Sequence, residues 1–254
     1  MEKLSLIINA DDFGKSRDIN EAIMAAMDSN LCNDATLLVN FEYSSQAATM
    51  AIAANKEKNI GIHLNLTEGL PLTNRIKNES RFCNKEGLFH YNKNKRIFHL
   101  SRSEKIAIYE EFTNQIRLCR SFGIPISHAD SHNHIHEEPG LLLLIIKILK
   151  KENIPFLRIT RNMGNTLILN RIYRNSYNYI LSINNLNGSN YFGSISDLIN
   201  SKKSPKINSI IELMIHPGLI INNQVFDIYS KENLSIQLSK ILSDSKLTSY
   251  SQLV

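Results

Sequence analysis

The sequence predicts an α/β protein built on one mostly parallel barrel, incomplete at about seven strands. Three observations predict it. Short apolar runs alternate with amphipathic helical stretches along all 254 residues, the pattern of parallel strands joined by crossover helices. Polar and ionisable residues gather where those runs end, and such folds place their sites at the carboxyl ends of parallel strands. No internal repeat and no linker divides the chain, so residues 1–254 read as a single domain.

Taken in order, Leu4 to Asn9 reads as a buried strand, and Asp18 is placed to cap a helix from Ile19 to about Ser29, with Ile19, Ile23, Ala26 and Met27 on one face. Ala35 to Val39 is a second strand, followed by an Ala-rich helix over Ser44 to Asn55, and Ile60 to Leu66 is a third strand carrying His63. The polar stretch Thr67 to Arg102 breaks the rhythm and is a candidate lid. Its Phe82, Phe89, Tyr91 and Phe98 either stack on a ligand or anchor a long loop. Ser103 starts a helix to about Phe122, with Glu104, Glu110 and Glu111 outward and Ile106, Phe112 and Ile116 inward. Ile124 to Asp130 is the next strand. Pro139 opens a helix to about Lys151, as its fixed φ allows. Phe156 to Ile159, with Arg158, is the fifth strand, and a helix covers about Thr166 to Ser182. A short strand and helix fit Ser189 to Ser201, Ile207 to Ile215 is a strand ending at His216, and Lys231 to Leu242 is the last helix.

The first strand ends in Asp11-Asp12. Adjacent carboxylates repel, and strand alternation sends neighbours to opposite sides. Either one binds a divalent metal while the other takes a proton from water, or one caps the following helix and the other is solvated. His63 alone is weak evidence, but His128-Ala129-Asp130-Ser131-His132-Asn133-His134-Ile135-His136 is stronger. If extended, His128, Asp130, His132, His134 and His136 share one face, which calls for solvent or a metal. Not all five bind: His128 and Asp130 suit the role of orienting ligands, and His134 and His136 fit either substrate contacts or exposed loop positions. His216, in Ile215-His216-Pro217-Gly218, ends another apolar strand. Carboxylates and imidazoles on the ends of several strands suggest a metal-dependent hydrolase. Two imidazoles and a carboxylate suit zinc, cobalt or manganese better than magnesium on ligand softness.

Other chemistries lack support. His136-Glu137-Glu138-Pro139-Gly140 begins like the zinc-protease helix but has Gly140 where the second histidine belongs. The serine-hydrolase, phosphate-loop and dinucleotide glycine motifs are absent. The net charge of +5 is scattered among acids, and its densest stretches, Lys93 to Arg96 and Lys147 to Lys151, read as solvated surface, so no nucleic-acid partner is expected. No signal peptide and no run of ~20 apolar residues is evident, so the expected location is cytoplasmic without a membrane span. Cys32, Cys83 and Cys119 are odd in number and widely spaced, as reduced, packed thiols are.

Asn9-Ala10-Asp11-Asp12-Phe13-Gly14, Gly61-Ile62-His63-Leu64, His128-Ala129-Asp130-Ser131-His132 with His134 and His136, and Ile215-His216-Pro217 occur in that order. In this the chain resembles the YdjC-like carbohydrate deacetylases over essentially its whole length. The resemblance implies a distorted (β/α) barrel related to polysaccharide deacetylases. It also implies metal-dependent removal of N-acetyl groups from an acetylated amino sugar such as a chito-oligosaccharide. Asp12, His63 and His132 would hold the metal, magnesium by family expectation. Asp11 would be the general base and His216 the general acid, with Arg158 near the base, and a homodimer is the family's expectation. The likeness departs at Phe226 to Glu232, which holds Lys231 but no arginine. Competing readings are another metal hydrolase, a phosphoesterase or an amidohydrolase, and a catalytically silent carbohydrate-binding relative.

Overall fold

A computed structural model describes residues 4–91, 96–164, 167–201, 205–206, 208–243 and 245–253. Part of the basic stretch Lys93 to Arg96, and the expected element starts at Thr166 and Ile207, lie outside the described residues. The first half runs β1 (Leu4–Phe13), α1 (Arg17–Asp28), β2 (Asp34–Leu37), α2 (Ser44–Ala53), β3 (Ile60–Leu64), α3 (Asn74–Lys77) and α4 (Arg102–Ser121). The second runs β4 (Ala129–Ser131), α5 (Leu142–Lys151), α6 (Ile168–Ile183), β5 (Tyr191–Ser194), α7 (Ile195–Ile199), β6 (Ile210–Ile215), β7 (Pro217–Ile221), β8 (Gln224–Asp227), α8 (Leu234–Ser243) and β9 (Ser245–Leu247). Among the described residues no helix is long and apolar enough to cross a membrane.

Seven strands make one sheet in the order β4-β3-β2-β1-β6-β5, with β9 beside the start of β1. Every pairing in it is parallel. The sheet curls into a distorted half-barrel, and residues 157–163 span between its edges. Arg158 N donates to Ala129 O at 2.9 Å, and Asn162 N donates to Phe192 O at 3.2 Å. The α/β barrel with seven parallel strands is therefore present, but its membership differs. Phe156 to Ile159 makes only a single bridge, Ala129 to Leu157, because Leu157 N turns to Leu186 O at 2.7 Å; β9 takes the seventh place.

The two faces of this sheet differ in chemistry. Leu6, Ile8, Ala10, Ala35, Leu37, Ile62, Ala129, Leu213 and Ile215 join the apolar core. Their neighbours in the ladders, Asn9, Asp11, Asp34, Thr36, His63, Asp130 and Glu212, are equally buried. Strand alternation separates the two sets, and the curled sheet encloses a polar interior whose open end is the carboxyl edge of β1, β3 and β4.

Several local expectations are corrected. Ser16, not Asp18, caps α1, accepting from Ile19 N, while Asp18 sits in the first turn. Ser101 caps α4 in a capping box with Glu104. Phe112 and Ile116 face inward as expected, but Glu104 and Glu111 are buried and Ile106 is exposed, the reverse of what was expected for these three. Glu111 points inward because it accepts from Leu72 N, Thr73 N and Thr73 Oγ1 at 2.7–3.0 Å, tying down the long segment. The expected strand from Ile124 shrinks to β4 because Ile126 has φ 58°, which an extended run does not tolerate. Pro139 precedes α5 instead of opening it, and α8 starts at Leu234 rather than Lys231. Of the aromatics in the candidate lid, Phe82, Phe89 and Tyr91 are buried and only Phe98 is exposed. The first three anchor the segment and are not available for stacking on a ligand.

Candidate active site

β1 carries both carboxylates to the open end. Asp12 takes a left-handed φ of 71°, and the register with β2 shifts between Ala10 and Phe13. This irregularity overrides the alternation expected of neighbours, so Asp11 and Asp12 line the same cavity of about 230 Å³, with His63, Ser131, His132, Asn133, His134, His216 and Tyr229. The histidine cluster is not extended either. β4 ends at Ser131, and His132–Glu137 form a 3₁₀ turn in which Asn133 and His134 have φ of 54° and 51°. The five residues therefore part company. His132 and His134 reach the cavity. His136 turns into the protein, fully buried, its Nδ1 2.6 Å from Ser131 Oγ and outside the cavity lining, so it is neither an exposed loop residue nor a substrate contact. His128 and Asp130 lie beneath the site.

Asp12, His63 and His132 bring three ligand atoms within 4.8 Å of one another. Asp12 Oδ1 lies 2.8 Å from His132 Nδ1 and 3.4 Å from His63 Nε2. The far nitrogen of His63, Nδ1, is 2.6 Å from Asp130 Oδ1. That leaves Nε2 directed at Asp12, the orientation a ligating imidazole requires. A carboxylate and two imidazoles converging with one orientation fixed from behind fit a divalent cation. Burial pushes the His63 imidazole down, but the charge and hydrogen bond of Asp130, the hydrogen bond to Asp12 and the charge of Asp11 together outweigh it and carry it up to about 10. For Asp12, burial pushes up and the two histidines hold it below the usual carboxylate range. A cation would thus displace protons from the imidazoles. His134, His136 and Glu137 bring a second set of donors within the same 4.8 Å.

Asp11 is held differently. Arg158 Nη1 and Nη2 donate to its two oxygens at 2.8 Å each, and Asn9 Nδ2 donates to Oδ1 at 2.8 Å. Burial raises the Asp11 carboxyl, and Arg158, with the charges of His63 and His216, outweighs that and keeps it well below its ordinary value. Arg158 is fully buried and also meets Asp130 Oδ2 and Glu212 Oε1 at 2.6 Å. Across the cavity His216 Nε2 stands 4.0 Å from Asp11 Oδ2. Asp227 positions it, accepting from His216 N at 2.7 Å with Nδ1 3.9 Å away, and Tyr229 packs edge-on at 4.5 Å.

Several members of this site escaped the sequence reading. Glu68 accepts from Lys15 Nζ and lies against His132 Nε2, both at 2.9 Å. The hydrogen bond to His132 is the largest influence lowering its carboxyl, to about 2. Asn65 builds the turn that presents it, with Oδ1 accepting from Thr67 N and Nδ2 donating to Glu68 O. Asp227 and Tyr229 arrive through the β7–β8 hairpin, whose turn is Asn222-Asn223 at φ 49° and 60°. Two adjacent left-handed asparagines between apolar runs are a hairpin signal that could have been read. Glu212 was visible as a lone acid within an apolar strand.

Asp11, Asp12, His63, His132 and His216 thus gather at the carboxyl edge of a curled parallel sheet in an α/β fold, and three of them could hold a metal ion. The chain belongs to the YdjC-like family, whose model matches residues 5–246. It is similar to a carbohydrate deacetylase of Clostridium beijerinckii, 35% identical over 156 residues, covering 61% of this chain and 60% of the relative. A carbohydrate deacetylase of Vibrio parahaemolyticus is 30% identical over 152 residues, covering 60% and 58%. The chain thus spans about three-fifths of the length of these curated relatives. A crystal structure of a provisionally assigned cellobiose-phosphate cleavage protein from Enterococcus faecalis superposes over 99% of both chains with a TM-score of 0.69 at 20% identity, a likeness of fold.

Proposed function

We propose that this single-domain chain is a carbohydrate deacetylase that hydrolyses the N-acetyl group of an acetylated amino sugar, a chito-oligosaccharide or similar glycan, and releases acetate. The observation that carries this reading is the opposition of Asp11 and His216 across a cavity whose floor is Asp12, His63 and His132. Membership of the YdjC-like family and the names of the relatives support it.

Asp12, His63 and His132 would hold one divalent cation, magnesium by family expectation, with zinc, cobalt or manganese favoured by the two imidazoles. When bound, the cation supplies Lewis acidity, polarising the acyl oxygen and lowering the pKa of water from ~15.7 towards ~7. Asp11, ionised and fixed by Arg158, takes a proton from the attacking water. A carboxylate held this low is a weak base, so it suits only a strongly acidified water. His216, oriented by Asp227, donates a proton to the departing nitrogen, since an amine anion is a very poor leaving group. Amide and water thereby give a carboxylic acid and a free amine. Asp130 and Thr36 keep the His63 ring in place, with Thr36 Oγ1 3.0 Å from His63 Nδ1. The cytoplasmic location and the homodimer belong to the same reading.

The test is acetate release by metal-reconstituted protein from a panel of N-acetylglucosamine oligomers, diacetylchitobiose included, beside His132→Ala. Release lost in the variant is the expected result. Bound metal with no release from any member, and turnover of a phosphate ester instead, would replace this reading with that of a phosphoesterase.

A further inference from the structure

The last residues of the chain re-enter the barrel from the end opposite the cavity. Tyr250 opens a 3₁₀ turn and is fully buried, its backbone N donating to Asp34 Oδ2 at 3.3 Å. Its hydroxyl donates to Glu212 Oε2 at 2.6 Å. The other oxygen of Glu212 accepts from Arg158 Nε at 2.6 Å, and the two terminal nitrogens of Arg158 hold Asp11. A second route runs through the ring. Tyr250 stacks on His128 at 4.0 Å and 14°. His128 Nε2 is 3.1 Å from Asn9 Oδ1, and Asn9 Nδ2 donates to Asp11. Both routes from Tyr250 end on the same carboxylate.

The space for this arrangement is provided at two glycines. A Cβ on Gly188 would lie 2.5 Å from the Tyr250 ring, and a Cβ on Gly61 would lie 2.6 Å from the His128 ring. Gly61 belongs to the Gly-Ile-His segment that delivers His63, so the strand that supplies a candidate ligand also makes room for the stacked pair.

We propose that Tyr250 is a positioning residue for the reaction: it fixes Glu212 so that the guanidinium of Arg158 stays against Asp11. This rests on the reading of Asp11 as the base. A guanidinium is a rigid planar fork, so a shift at Nε swings both terminal nitrogens. A hydroxyl on Glu212 Oε2 stops that carboxylate from rotating and drawing Nε with it. The tyrosine touches neither cavity nor substrate, so its effect falls on turnover and not on binding.

Tyr250→Phe keeps the stack and removes only the hydroxyl. In the unaltered protein the Arg158 Nε–H signal in nitrogen-15 NMR, assigned by its loss in Arg158→Lys, should exchange slowly with water. In Tyr250→Phe that exchange should quicken at least about tenfold. The kcat for acetate release should fall roughly tenfold to a hundredfold, the scale of a small misplacement of a catalytic group, with KM held within about twofold. If Tyr250→Phe does not fold, Gly188→Ala, whose Cβ would lie 2.5 Å from the Tyr250 ring and displace it without touching Glu212, should reproduce the quickened exchange and the fall in kcat. Unchanged exchange in Tyr250→Phe, or quickened exchange with unchanged kcat, overturns the proposal. If the unaltered protein releases no acetate, the functional reading falls, and the exchange measurement alone decides whether Tyr250 holds Arg158.

Discussion

Replacing Arg158 with methionine removes the one cation that, among the described residues, pairs with all three of the buried carboxylates Asp11, Asp130 and Glu212, at 2.6–2.8 Å. Methionine keeps much of the side-chain stem beside Phe192, above which the guanidinium carbon lies 4.8 Å from the ring centre. Leaving one buried charge without its partner costs about 3–5 kcal/mol. Three carboxylates lean on this guanidinium, which pushes towards the upper end, while proton uptake by the stranded acids caps the loss. A loss of about 4 kcal/mol lowers the folding equilibrium constant roughly a thousandfold, within reach of a domain stable by about 5–15 kcal/mol. The penalty should depend on pH. In the unaltered protein the Asp11 carboxyl is depressed, so its contribution is present above the unfolded value of ~3.9 and is lost only as pH falls through the depressed value. In the variant burial raises Asp11, opposed by the charges of His63 and His216 and by the hydrogen bond from Asn9. The gap between the two proteins therefore widens from pH 5 to pH 7.5. Urea unfolding followed by circular dichroism at both pH values measures it. A variant within about 1 kcal/mol of the parent at pH 7.5, or a gap independent of pH, refutes the account of Arg158 as the common counter-charge.

Two further outcomes are expected. Gly61→Ala places a Cβ 2.6 Å from His128 Cε1 and 2.7 Å from its backbone oxygen, and should destabilise by about 1–3 kcal/mol as overpacking does; an unchanged melting temperature would show that the His128–Tyr250 stack has slack. The folded-state pKa of His63, about 10 without metal, exceeds its unfolded value of ~6.5. Its contribution to the stability of the metal-free protein is therefore full below pH ~6.5 and disappears as pH rises through about 10. Manganese binding at pH 7.5 should accordingly release at least one proton, counted by calorimetry in buffers of different ionisation enthalpy; uptake of metal with no proton release would show that His63 is not the ligand.

The sheet and the outline of the site were legible for one reason: both are written in local pattern. Apolar runs mark β1, β3 and β6, and Asp11, His63 and His216 stand at or near their ends. What was not legible depends on backbone departures and on long-range partners. Asp12 and His134 reach the cavity through left-handed φ angles on residues other than glycine, and nothing in residue type alone announces those. Glu68, Asp227 and Tyr229 come from a loop and a hairpin, and their value lies in partners 64 and 11 residues away for the first two.

The polar interior was written in the strands and went unread. Asp34-Ala35-Thr36-Leu37, Gly61-Ile62-His63-Leu64 and Ile211-Glu212-Leu213 alternate in the manner of a sheet with one wet face, yet both faces here are dry. That combination carries a physical demand. A buried face of Asn, Asp, Thr, His and Glu is tolerable only if each group is paired. Arg158, Asn9, Thr36 and Tyr250 supply those partners from four separate segments. The residues that carry the proposed chemistry and the residues that make the barrel interior tolerable are one connected network. It follows that substitutions at the bottom of this barrel, far from the cavity, should be felt at Asp11, whereas equal changes in the apolar layer under the helices should alter stability alone.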